Sequence, residues 1–105
     1  MAKYVLLYTG GGMAETEAEQ AAVMQAWGAW FHELGSALVD GGAPFSGAAR
    51  HISSAGKVQE GSAGMPATGY SIIEANSLDE ATRLAGSNPL LQSNGQITVF
   101  ETAQM

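Results

Sequence analysis

Gly69-Tyr70-Ser71-Ile72-Ile73-Glu74-Ala75-Asn76-Ser77-Leu78-Asp79-Glu80-Ala81 is the stretch that decides the fold. Residues 70–75 read as a strand. Ser77-Leu78-Asp79-Glu80 is a capping box: Ser77 covers a free N–H of the first turn and Glu80 reaches back. A short helix follows, carrying Leu78, Ala81, Thr82, Leu84 and Ala85. Gly86 ends it and Pro89 forbids its continuation. A strand feeding directly into a capped helix is one half of a β-α-β unit.

The other half lies at the N-terminus. Residues 3–9 form a strand with Tyr4, Leu6 and Tyr8 on one face and Val5 and Leu7 on the other. Both faces are apolar or aromatic, so a sheet covered on both sides is expected. Gly10-Gly11-Gly12 breaks the strand. Thr16-Glu17-Ala18-Glu19 is a second capping box and starts a helix over 17–34, with Gly35 as its C-terminal glycine. Val23, Trp27, Trp30, Phe31 and Leu34 fall on one stripe, with the tryptophans as anchor to the sheet. His32 points away from that stripe.

Between the two halves the chain is less regular. Residues 37–39 are extended, and Asp40-Gly41-Gly42-Ala43-Pro44 reads as turn chemistry. Residues 50–53 and 57–60 flank Ser54-Ala55-Gly56 as a hairpin. Residues 61–69 read as a loop. Asn94-Gly95 turns into a last strand over 96–101. The order β-α-β-(hairpin)-β-α-β in one domain over residues 1–105 predicts an α+β sandwich of ferredoxin-like type. Two helices cover one face of its sheet. The other face must still bury part of Tyr4, Leu6, Tyr8 or their partners in the last strand. A second copy of the sheet would do so, and a homodimer is expected.

Composition narrows the function. Apolar residues make up 46% of the 105, enough for a packed core. Ten acidic against four basic residues give a net charge of −6, which argues against nucleic acid and anionic membranes as partners. There is no cysteine, hence no disulfide and no thiol chemistry. The N-terminal apolar run stops at Tyr8, shorter than the core of a secretion signal, and no stretch approaches the ~20 residues of a membrane span. A cytoplasmic location is expected.

The segment 69–81 resembles the signature of YCII-related proteins, including the subgroup named for an Asp-Gly-Pro-Phe tetrapeptide (the DGPF domain). Lys3-Tyr4-Val5-Leu6-Leu7-Tyr8 is similar to their first strand. Leu38-Val39-Asp40-Gly41-Gly42 and Asn94-Gly95-Gln96-Ile97-Thr98-Val99-Phe100-Glu101 match in kind and order. The resemblance implies a dimeric α/β barrel, ferredoxin-like in each subunit, and in some members a His–Asp pair in an enzyme-like cleft. The chain departs from the pattern twice. Glu60-Gly61-Ser62-Ala63 stands about where the tetrapeptide belongs. Asn88-Pro89-Leu90-Leu91 has none of the histidine that often follows this proline in relatives.

Candidate chemistry is sparse. Gly10–Gly12 lacks the Gly-Lys-Ser/Thr of a phosphate loop, and Glu15, Glu17 and Glu19 would repel phosphate there. His32 and His51 are the conventional bases near neutral pH. His32 reads as a solvated surface group. His51 is the candidate general base, with Asp40 to orient it and Arg50 to hold an anionic group. Tyr4, Tyr8 and Tyr70 are candidate ligand-binding hydroxyls, against the alternative of core or interface packing. Two dispersed histidines do not make a metal site, and no cofactor is expected. Two readings stay open: a small-molecule binding or enzyme-like barrel, with its cleft between the sheet and the loops 10–12 and 40–45, or a non-catalytic dimerising regulatory or protein-interaction module.

Overall fold

A computed structural model describes residues 1–11 and 15–103. Eight elements follow in order: β1 (Ala2–Gly10), α1 (Glu17–Leu34), β2 (Leu38–Pro44), β3 (Arg50–Ile52), β4 (Val58–Glu60), β5 (Ala67–Ala75), α2 (Leu78–Ala85) and β6 (Gly95–Glu101). Short 3₁₀ turns stand at Gly35–Ala37 and Pro89–Ser93. The fold is α+β. Four strands form one sheet in the order β2-β5-β1-β6, each neighbour pair antiparallel, and β3 and β4 form a separate two-stranded sheet. The large sheet is open at β2 and β6, so the chain alone closes no barrel.

Both capping boxes form. Thr16 Oγ1 accepts from Glu19 N at 3.1 Å, and Ser77 Oγ accepts from Glu80 N at 3.1 Å. The reciprocal bonds go one residue further out than the usual pattern, to Glu15 N and Asn76 N. Each helix thereby gains partners for N–H groups that have none within the helix.

Period-two alternation sorts the sheet residues. Tyr4, Leu6 and Tyr8 of β1 are buried with Ile73 and Ala75 of β5, Trp30 and Leu34 of α1, and Ala81 and Ala85 of α2. The two helices are tied to each other as well: Trp30 Nε1 donates to Leu84 O at 3.2 Å. The face left without a helix therefore carries Val5 and Leu7, not the residues expected from the sequence. One phase of β1 is larger and more aromatic, and the helices take that one.

Two further expectations are corrected. Asp40–Pro44 is not a turn that ends the extended segment; it belongs to β2, which runs to Pro44 past two irregularities in its pairing with β5. Asp40 Oδ1 accepts from Gly42 N at 2.8 Å, so the turn chemistry is spent on a bulge inside the strand. Gly42 takes φ +77, and a Cβ there would overlap the Tyr70 carbonyl. Likewise β5 starts at Ala67, inside the segment read as loop. In α1, Val23 is exposed although it lies on the apolar stripe. The first turns of that helix face the 3₁₀ turn at Pro89–Ser93 across a cleft and do not lie on the sheet.

Candidate functional site

The fold distributes the six residues singled out in the sequence over three places. Tyr4 and Tyr8 lie under the helices, Asp40 and Tyr70 lie on the helix-free face, and Arg50 and His51 lie in the β3–β4 hairpin.

Under the helices, Tyr8 is the middle of a buried chain of hydrogen bonds. Asn88 Nδ2 donates to Tyr8 Oη at 3.2 Å. Tyr8 Oη donates to Ser71 Oγ at 2.6 Å, and Ser71 donates to Gly41 O at 2.8 Å. Asn88 Oδ1 accepts from Leu90 N at 2.8 Å. The chain joins β1, β5, β2 and the turn after α2, and every link is satisfied. Burial pushes the Tyr8 phenol above its ordinary value, and the Ser71 and Asn88 bonds partly oppose this. Tyr4 Oη donates to Glu101 Oε1 at 3.0 Å. Burial, then the Glu101 bond and charge, push its phenol up as well.

On the other face, Tyr70 Oη donates to Asp40 Oδ2 at 3.3 Å. The Asp40 charge is the main cause of a raised Tyr70 phenol, followed by the bond itself. Phe45 stacks on Tyr70 at 6.0 Å between ring centroids. The bulge at Gly42 makes this corner: Asp40 pairs with Ile72 and Ala43 with Tyr70, which sets the carboxylate beside the phenol. Val5, Leu7 and Ile72 continue the face toward Phe100, which is 50% exposed. An aromatic wall, a phenol and a carboxylate at the edge of an apolar floor can hold a flat ligand that donates hydrogen bonds.

Arg50 and His51 are drawn away from that corner. Arg50 Nε bonds Glu60 Oε1 at 3.1 Å across the hairpin, with both side chains largely in solvent. His51 pairs in register with Gln59 and is half-buried. No hydrogen bond joins His51 to Asp40 among the described residues, and each tyrosine hydroxyl already has a partner within the chain.

A separate groove of about 260 Å³ runs between α1 and the turn after α2, lined by Ala22, Val23, Ala26, Trp27, Pro89 and Leu90 among others. None of the six residues lines it. Leu90 partly fills this region, resting where Gly11 and Gly95 leave no side chain in its way. Of the glycine loop, Gly10 and Gly11 take positive φ, and Gly12 lies outside the described residues. Among the described residues, no three of His, Asp or Glu converge as a metal site would require. No described helix is long and apolar enough to cross a membrane.

The sequence reading missed Ser71 and Asn88, and it held Phe45 only as the end of the loop 40–45, without its stacking on Tyr70. Ser71 had a signal: it is the polar residue in the same alternating phase as Ile73 and Ala75. Asn88 stands before Pro89, where a side chain can cap the next turn. The stacking of Phe45 had none, because it depends on the bulge. No protein-family model and no curated protein matches the sequence.

Proposed function

We propose that the chain is a YCII-related protein whose ferredoxin-like subunit pairs face to face with a second copy, making a dimeric α/β barrel that binds a small molecule at the Tyr70–Asp40–Phe45 corner. The uncovered apolar face with a phenol–carboxylate pair at its edge is the observation that carries this reading. Its apolar centre, Val5, Leu7, Ile72 and Phe100, is bordered by Lys3, Glu74, Thr9 and Gln96, and an apolar patch rimmed by polar residues is the pattern of an interaction surface. A second sheet of the same kind covers it without new chemistry, since flat apolar faces pack about 10 Å apart. Element order and strand order support the ferredoxin-like description, and the strand with its capped helix over residues 69–81 supports the family.

In this reading Asp40 accepts a hydrogen bond or a proton from the ligand, Tyr70 positions it, and Phe45 stacks on it. A His51–Asp40 catalytic pair plays no part. The alternative, a dimerising interaction module without chemistry, draws on a different observation: all three tyrosine hydroxyls are already held within the chain. Fragment screening by NMR separates the two. Small aromatic hydrogen-bond donors should shift the Tyr70 and Phe45 signals and leave Trp27 unmoved, and Asp40→Ala should abolish those shifts. A screen in which no fragment perturbs Tyr70 or Phe45 in the dimer would overturn the ligand site and leave the interaction module.

A further inference from the structure

The β3–β4 hairpin makes poor sense as part of one isolated chain. None of the residues 45–66 is buried, and only His51 and Ser53 are even half-buried. The hairpin is nevertheless well formed. Three residue pairs are in register, Arg50–Glu60, His51–Gln59 and Ile52–Val58. Ser53 N donates to Lys57 O at 2.8 Å, Lys57 N to Ser53 Oγ at 3.1 Å, and Gly61 N to Ala49 O at 2.9 Å. A two-stranded hairpin of this length is marginal in water unless something packs on it. Its one apolar cross-strand pair is instead in solvent: Ile52 is 67% exposed and Val58 60%.

Shape points the same way. The Cα radius of gyration is 15.1 Å, against about 13 Å for a compact domain of this length. The molecule measures 43 × 41 × 18 Å, so it is long in two directions and thin in the third.

Area identifies the occupant. The chain exposes 7396 Å² of accessible surface, against roughly 5,500 Å² for a compact folded monomer of 10.8 kDa. A stable dimer hides about 800 Å² on each partner. The excess is more than such an interface hides, and the exposed Ile52 and Val58 of the arm contribute to it. Phe45, at the arm's base, bonds Thr68 O through its N–H and stacks on Tyr70 of the open face. On the hairpin, Arg50, Ile52, Val58 and Glu60 share one side by alternation. That side is an apolar pair bordered by a charge pair of both signs, which suits a subunit boundary in a chain of net charge −6.

We propose that the β3–β4 arm is an intersubunit clamp: its Ile52–Val58 side is buried on a second copy of this chain in the homodimer. The inference rests on the face-to-face dimer proposed above and adds to it a second contact region. It also assigns Arg50, which shares that side, to the subunit boundary and not to the cleft of its own chain.

The test is sedimentation equilibrium of the intact protein and two variants. Ile52→Asp/Val58→Asp changes only the exposed arm, so its thermal unfolding at low concentration should match that of the unaltered chain. Leu7→Glu places a charge in the middle of the sheet face and should give a monomer. For the clamp, the arm variant should raise the dimer dissociation constant at least tenfold. A dimer unaffected by the arm variant yet broken by Leu7→Glu would overturn the clamp and leave the sheet interface standing. A wild-type chain that stays monomeric would overturn both. Val58→Asp alone provides the same readout if the double variant folds poorly.

Discussion

Tyr8 and Tyr70 sit almost side by side on the β1–β5 ladder, Tyr8 opposite Gly69 and Tyr70 opposite Leu7. One step of alternation sends them to opposite faces. Tyr8 is 5% exposed and fixed in a hydrogen-bonded chain that ties three strands and a turn together. Tyr70 is half-buried, stacked under Phe45 and bonded to a single carboxylate. The same residue type serves stability on the covered face and remains accessible on the open one. What separates the two is which face received the helices. Burial, not residue type, sets the cost of disturbing each site.

The sharpest way to break this comparison is to shorten adjacent leucines on β1. Leu6 is fully buried, and Leu6→Ala should lower the unfolding free energy by about 2–5 kcal/mol. Leu7→Ala removes the same atoms from the open face and should cost about 1 kcal/mol in the separated chain. Denaturant unfolding at low protein concentration measures both. Equal losses would mean that the open face is packed within one chain.

A smaller effect is expected in the buried polar chain. Asn88→Ala leaves Leu90 N without its side-chain acceptor and removes a donor to Tyr8, which should cost about 1–3 kcal/mol. Tyr70→Phe, the matching deletion on the open face, should shift the unfolding midpoint far less. The same denaturant series reads both.

The smallest effect is in alkaline titration. Both phenols lie above the ordinary tyrosine value, Tyr8 chiefly through burial and Tyr70 chiefly through the Asp40 charge. The unfolded chain therefore loses these protons first, near pH 10. The stability they contribute is complete below that pH and is lost as pH rises through the native values. Asp40→Asn should bring Tyr70 back toward its ordinary value and leave Tyr8 where it is. Tyrosinate absorbance against pH would show it, and movement of both phenols together would mean that the faces are electrically coupled.

Much of this was readable from local chemistry. Thr16 and Ser77 announce helix starts because a hydroxyl oxygen before a first turn has N–H groups to satisfy, whatever lies beyond. Tyr4, Leu6 and Tyr8 share a face because strand geometry has period two. The hairpin around Ser54-Ala55-Gly56 and the strand over residues 70–75 rest on equally local signals. The candidate site was legible only in part. Asp40 and Tyr70, thirty residues apart, meet because β2 lies beside β5 and a bulge at Gly42 shifts the register. Arg50 and His51 do not join them, because the hairpin carrying them pairs with itself.

Sequence alone thus determined both helices, the centre of most strands, their order and the residues sharing each face of β1, since these depend on interactions a few residues long. Tertiary structure alone decided which face of β1 the helices cover, that Ser71 and Asn88 close a buried chain around Tyr8, and that the Ile52–Val58 pair is left in solvent. Those outcomes depend on strand order and register, where a shift of one residue reverses every side chain.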